Sequence, residues 1–461
     1  MTGTSETQLN GAPPRIEFIN HASVLLSDGV SGVLSDPWYF GEAFHDGWAL
    51  LEETPDSDIR RILGLTTHLW LSHEHPDHFS PAFFKRYRDI LRERNIIVLF
   101  QRTRDGRLAG FIRRLGLPVV ELDDGETYAV NADFEIKIVR SDLYDSALLA
   151  NLGGIRVFNL NDCPLHREHE LQAFADRHGP CDVLLTQFSY AAWKGGKAHP
   201  EWRKKAARHK LTAMHRQIAA LKPASCLLFA SFVRFSNRLN HYMNDAVNTP
   251  DAVLREQAKT DTRLVFMAPG ETQPLPRLQQ DPASLAFWQT RYARIQALPL
   301  TEYSASESLD SLHDAFRVFQ KRLFRDNAGW LLRLGRRLLP LHPFAPTTVA
   351  LFDQPTRLEI DPLGTLRTVA GGQADITLHS SSLAYLFRYE FGFDTLFVNG
   401  CFEESRPGGF ERFAKCFAIG NLNAAGVQVR PTSITRLTTI RLLLGKLAAV
   451  RKKLNAKSPK K

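Results

Sequence analysis

The chain has 461 residues, 44% hydrophobic and 23% charged, with a net charge of +9. That length exceeds one ordinary core and predicts two domains, and the composition is that of a soluble globular protein rather than a disordered or fibrous one. No apolar run approaches the roughly 20 residues of a membrane-spanning helix, and five cysteines without a CxxC pair exclude a disulfide framework, so a reducing cytoplasm is expected.

Residues 1–14 are polar, lack the basic and apolar regions of a signal peptide, and are expected to be disordered. RIEFINHASVLLSDGVSGVLSDPWYF (15–40) reads as two alternating strands around an Asp28-Gly29 hairpin turn, the second closed by Asp36-Pro37. TTHLWL (66–71) is a short buried strand. Helices are expected over 81–94 and 105–116, with strands at 95–101, 118–121, 134–140 and 154–160. A helix near 166–177 precedes the strand CDVLLTQF, and a long helix over about 200–221 precedes the strand SCLLFAS. RLVFMAPG closes a first domain at residue 275. Strands first, then strands alternating with helices, give an α/β or α+β class with a layered sheet core.

Residues 276–299 are read as a connector and 300–436 as a smaller α+β domain. Residues 279–340 are mainly helical, TTVALFDQ and the segment to ADITLHSS form a strand meander, and SLAYLFRYEF is helical. The tail, 437–461, ends in RLLLGKLAAVRKKLNAKSPKK, with eight Lys or Arg and no acid, so the rest of the chain is close to neutral. Ile440, Leu443, Leu444, Leu447, Val450 and Leu454 recur at helical spacing. This basic amphipathic helix suits an anionic membrane or an acidic partner. Nucleic acid is not expected, because no aromatics interleave with the basic residues.

The densest chemistry lies in WLSHEHPDHFS (70–80), where three histidines, a glutamate and an aspartate fall within six positions. His73 and His75, at a strand end, can point at one ion, while Asp77 and His78 on the following turn can face a second. Imidazole with carboxylate suits Zn or Fe(II) better than Mg or Ca. Glu74 points away from its neighbours. His21 is read as a donor beside the metal pocket or as a buried structural histidine. Tyr190, Lys194, His199, Arg234 and Asn237, on loops after strands, are candidates for substrate contacts.

HEHPDH resembles the HxHxDH motif of the metallo-β-lactamase superfamily, over about residues 15–275. The NHASVLL and SDPW segments are similar to the branch of ascorbate-6-phosphate lactonase and N-acylphosphatidylethanolamine phospholipase D. The resemblance implies a four-layer αββα sandwich, metal one on His73 and His75, and metal two on Asp77 and His78. A third metal-one histidine is expected after residue 140, but VRSDLYDS offers Asp142 first and Asp145 next. NLNDCPLH supplies the bridging Asp162, with His166 either a further ligand or a surface histidine. The last histidine is missing after SCLLFAS; His241 is either a displaced ligand or a loop residue.

LSHEHPDHFSP, NLNDC and FASFVRFSN look similar to the corresponding domain of CMP-N-acetylneuraminate hydroxylase, which implies iron and a Rieske module. A Rieske centre needs Cys-x-His and Cys-x-x-His pairs, and only CPLH at 163–166 fits. An oxygenase would therefore draw on a separate Rieske or ferredoxin electron donor. The C-terminal meander and LFVNGCFE resemble a sterol-carrier-like domain, which implies an apolar groove. The resulting expectation is an iron-dependent hydroxylase or monooxygenase acting on a small molecule, of sugar-nucleotide or lipid-like type. The alternative is a hydrolase of an ester, lactone or phosphodiester with one or two Fe or Zn ions, in which Asp77 or Asp162 orients the activated water. A binding protein with a structural metal is the third reading.

Overall fold

In the computed structural model, residues 13–141, 145–303, 305–339, 343–424 and 427–434 are described. Arg15–Asn20 pairs antiparallel with Ser23–Ser27, which pairs antiparallel with Gly32–Ser35. The chain therefore reverses twice where the sequence suggests one hairpin. The Asp28-Gly29 turn is as expected, with Asp28 Oδ1 accepting from the amides of Val30 and Ser31. The extra reversal is at His21, which sits at φ +31°, a left-handed conformation uncommon for a residue with a Cβ. The Asn20 side chain holds it, accepting from the His21 amide at 2.9 Å and donating to the Glu52 carbonyl at 2.7 Å.

Two seven-stranded sheets follow. The first runs Thr272–Pro274, Arg15–Asn20, Ser23–Ser27, Gly32–Ser35, His68–Leu71, Ile97–Gln101, Val119–Leu122. The second runs Arg263–Val265, Ser225–Phe229, Val183–Gln187, Ile155–Asn161, Asp145–Leu152, Phe134–Ser141, Thr127–Ala129. Asp145–Leu152 is a strand absent from the sequence reading. Its sequence, DSALLANL, has no β-branched residue to favour extended backbone, and its pairing with Phe134–Ser141 over eight residue pairs supplies what propensity lacks.

One apolar core joins the facing sides of both sheets, with Ile16, Phe18, Trp70 and Leu99 from the first and Phe134, Leu148, Phe158 and Leu185 from the second. It also takes Met214, Ile218 and Leu221 from the helix Pro200–Leu221. A second core packs the outer side of the first sheet under helices Asp56–Leu65, Pro81–Arg86, Arg88–Glu93 and Arg107–Arg114, through Ile59, Ile62, Phe83, Leu91 and Ile112. Helix, sheet, sheet and helix make the four-layer αββα architecture expected from the motif. Within each sheet the central strands are parallel, so their C-terminal ends, and the loops that follow them, gather on one edge.

The chain divides into two compact units, residues 1–236 with 241–300, and residues 237–240 with 301–461. The stretch read as a connector includes the helix Pro282–Arg294, which belongs to the first unit: Trp288 is fully buried there, stacked on Phe232 at 4.0 Å. The second unit holds a five-stranded sheet ordered Leu366–Thr368, Arg357–Ile360, Thr347–Leu351, Ile376–Leu378, Phe402–Glu404, with helices including Leu309–Asp326, Ser380–Arg388 and Gly409–Ala424. A cavity there among Phe319, Leu386, Phe393 and Phe417 measures about 30 Å³, room for one water rather than an acyl chain. The five cysteines are free and buried. No helix among the described residues is long and apolar enough to cross a membrane. The basic tail, 437–461, lies outside the described residues.

Candidate metal centre

The strand His68–Leu71 is completely buried and delivers Ser72 and His73 to the collecting edge of the first sheet. The turn after it is closed by the His75 carbonyl, which accepts from the amides of His78 and Phe79 at 3.0 and 2.7 Å. Ser80 then caps the helix Pro81–Arg86 by accepting from the Phe83 amide. These bonds fix the short segment so that its four donor side chains converge.

They form two groups. His73, His75 and Asp162 make one, and His21, Asp77 and His78 the other; within each, a ligand atom from every residue lies within 4.8 Å of the others. His73 Nε2 is 3.0 Å from His75 Nδ1. His78 Nε2 is 3.2 Å from Asp77 Oδ2 and 3.6 Å from Asp162 Oδ1, so Asp162 reaches both groups. His21 Nε2 lies 3.5 Å from Asp77 Oδ2. Asp145 Oδ1 lies 3.8 Å from His73 Nε2, beside the position where the superfamily pattern expects a third histidine.

One carboxylate orients two of the ligands. Asp36 is buried, in the Asp-Pro turn after Gly32–Ser35, with φ +33°. It accepts from the Ser72 amide at 2.8 Å, the Ser72 hydroxyl at 2.7 Å, Asn161 Nδ2 at 2.5 Å and His78 Nδ1 at 3.0 Å. Because the Ser72 hydroxyl donates to Asp36, its oxygen is left to accept from His73 Nδ1, 2.9 Å away. Protons are thereby held on the Nδ1 atoms of His73 and His78, and both Nε2 atoms face the site. Such outer carboxylates set tautomer and ring direction in metal centres.

Asp162 is held by a second relay. Lys210 has only donors, so it faces the Gln187 carbonyl oxygen and turns the Gln187 amide nitrogen toward Asp162 Oδ1. A cavity of about 200 Å³ opens beside this relay, lined by Asp162, His166, Thr186, Gln187, His209 and Lys210.

The electrostatics are those of a site built around positive charge. Burial, together with His78 and His75, holds the pKa of His73 well below the ordinary histidine value. Burial also opposes charge on His78, but Asp77, Asp162 and Asp36 outweigh it and push its pKa well up. Burial acts against the Asp77 carboxylate too, yet His78 and His21 hold its pKa well below the usual range. His21 Nδ1 and Nε2, Asp77 Oδ1 and His78 Nε2 are buried without a hydrogen-bond partner, which is costly unless another group satisfies them. Four imidazoles and three carboxylates with orphaned atoms facing inward fit one or two Fe or Zn ions.

The other sequence candidates are dispersed. Asp142 lies outside the described residues. His241 opens the 3-10 turn His241–Ala246 and belongs to neither donor group; the loop after Ser225–Phe229 supplies no ligand there, and His21 completes the second group instead. Tyr190 is buried with its hydroxyl donating to the Met243 carbonyl. Asn237 is buried and groups with the second unit, its Oδ1 accepting from the Leu239 amide. Lys194 is half-buried and adds the smallest of the contributions that hold down the pKa of His209, after burial, His166, Lys210 and Arg216. Arg234 stands on the short strand Val233–Phe235 with Nε and Nη1 buried and unpartnered. His199 stacks on Trp202 at 4.4 Å. Glu74 pairs with Arg107 at 3.6 Å and is outside both groups. Sequence reasoning missed Asp36 as an orienting carboxylate and left His21 undecided; their signal was the pair of left-handed residues in NHAS and SDPW, which only the backbone reveals.

No family model matches the chain. Curated relatives do. It is 24% identical over 287 residues to cytidine monophosphate-N-acetylneuraminic acid hydroxylase of Cricetulus griseus, covering 58% of this chain and 49% of that one. It is 23% identical over 300 residues to the same enzyme of Macaca mulatta, covering 60% and 49%. The chain thus spans about half the length of the curated relatives it matches. Among solved structures, CmlA, a diiron β-hydroxylase from Streptomyces venezuelae, aligns at 20% identity and TM-score 0.41, over 57% of this chain and 54% of that one. Igni18, a metallo hydrolase from Ignicoccus hospitalis, aligns at 16% identity and TM-score 0.39, over 58% and 100%. The resemblance read from HEHPDH and NLNDC is borne out in the sequence relatives.

Proposed function

We propose that this chain is a metal-dependent oxygenase, an iron hydroxylase or monooxygenase that receives electrons from a separate donor protein. The observation that carries the reading is the donor set: His73 has carboxylates, Asp145 and Asp162, beside it. Mixed imidazole and carboxylate ligation that leaves positions open is the pattern of non-haem iron sites. The hydroxylase relatives support the same choice, and the name they carry makes a sugar nucleotide the first substrate class to test.

When bound, iron would supply the one-electron and dioxygen chemistry. The chain supplies the rest. His73, His75, Asp145 and Asp162 would hold one ion, and His21, Asp77, His78 and Asp162 the other. Asp36 keeps the Nδ1 protons of His73 and His78 in place, and Gln187 donates to Asp162 Oδ1, the oxygen that lies 3.6 Å from His78 Nε2, and so fixes that carboxylate where the two groups meet. The cavity beyond Asp162 offers room for a small polar group.

The second reading is a two-metal hydrolase, favoured by the meeting of both donor groups at Asp162. Asp77 or Asp162 would then orient the attacking water. Metal analysis of anaerobically purified protein separates the two. Iron with oxygen uptake that depends on an added reductase is expected. Two zincs with esterase or phosphodiesterase turnover would refute the oxygenase.

A further inference from the structure

The helix Gly329–Leu338 in the second unit, GWLLRLGRRL, inverts the usual distribution of a surface helix. Leu332 is its buried anchor at 1% exposure, while Trp330, Leu334 and Leu338 are 59%, 45% and 66% exposed. These three stand at i, i+4 and i+8, one above another on the outer face, and Leu339 continues the stripe. Arg333 and Arg337 are exposed on the same face, and neither has an acidic partner among the described residues. Arg336 shows the contrast: it turns inward to Asp361 at 2.8 Å. The helix contains no Asp or Glu. Phe324, 37% exposed on the preceding helix, widens the patch and lies under the Arg333 guanidinium at 5.8 Å from the ring centre.

We propose that this face docks on an anionic phospholipid surface. An apolar stripe with a tryptophan, on a helix whose only charged residues are arginines, is the composition of helices that lie in the membrane interface. The arginine stems can run along the apolar stripe while their guanidinium groups reach lipid phosphates. Charge selects lipid over a second copy of this chain. A two-fold contact between identical faces would set Arg333 and Arg337 against their own counterparts, whereas an anionic leaflet attracts all of them.

Co-sedimentation of the full chain with vesicles tests this. Binding is expected to phosphatidylcholine vesicles containing about one third phosphatidylserine, and little to pure phosphatidylcholine. Trp330 is a built-in reporter, since the other tryptophans are buried or, for Trp202, half-buried; its emission should shift to the blue on binding, and the shift should vanish in Trp330→Phe. Arg333→Gln with Arg337→Gln should weaken partitioning about 30-fold, and Leu334→Gln with Leu338→Gln should abolish it. Circular dichroism and a urea unfolding profile unchanged from wild type show that these surface variants still fold. Failure of the wild-type chain to bind the acidic vesicles would overturn the proposal. So would variants that bind as well as wild type, which would place the contact elsewhere, or a concentration-dependent dimer lost in the leucine variant.

Discussion

Replacing Asp36 by Asn tests the orientation of the metal ligands without touching a ligand. The carboxylate accepts four hydrogen bonds, one at Oδ1 from the Ser72 amide and three at Oδ2 from Ser72 Oγ, Asn161 and His78. An asparagine has one acceptor, so it will keep its oxygen toward the three donors and set its NH2 against the Ser72 amide. The Ser72 N–H and the asparagine's own N–H groups then face each other without an acceptor, at a cost of about 1–3 kcal/mol in stability for each group left unsatisfied. The bond to His78 also loses its charge, so the proton on Nδ1 is held less firmly and the Nε2 lone pair is less basic. Outer-shell changes of this kind typically lower metal affinity about 10–100-fold, equivalent to about 1.4–2.8 kcal/mol. Competition with a chromophoric chelator measures the affinity, and urea unfolding of the metal-free protein measures the stability. An affinity within about twofold of wild type would refute the claim that Asp36 sets the two histidines.

Further outcomes follow from the same geometry. His21→Ala should lose the ion of the buried group while that of His73, His75 and Asp162 remains, whereas His241→Ala should leave metal content unchanged; elemental analysis separates these. Lys210→Met frees the Gln187 amide to turn its oxygen on Asp162, so affinity should fall about tenfold, with Lys210→Arg restoring most of it. In the metal-free protein, His78 is raised above the ordinary value of 6.5 and His73 is lowered below it. The raised group contributes stability that is full below pH 6.5 and is lost as pH climbs through its folded pKa. The lowered group costs stability below 6.5, because the unfolded chain then binds the extra proton. Urea midpoints of the metal-free protein should therefore peak near pH 6.5, and a profile rising steadily from pH 5 to 8 would contradict the assignment. Metal binding must displace the His78 proton, so affinity should increase with pH through neutrality.

What the chain declared by itself was local. HEHPDH could be read because its ligands are close in sequence, after a strand whose apolar residues mark it as buried. Asp162 could be read because it follows another strand end. A layered α/β core was legible from strand and helix order, since burial imposes periodicity wherever a segment has two faces, and the αββα arrangement followed from the resemblance that HEHPDH carries. Three things depended on the tertiary structure. Asp145–Leu152 is extended only because neighbouring strands pair with it, against a composition that favours no strand. His21 and Asp36 reach the centre from turns with left-handed backbone, and such turns are held by contacts such as Asn20 to Glu52 and Asp36 to Asn161, the latter 125 residues apart. The outward face of Gly329–Leu338 is the same kind of fact. Its sequence contains a stripe of Trp and Leu, but the choice of which side is buried is made by packing, and packing buried Leu332 and left the stripe to solvent.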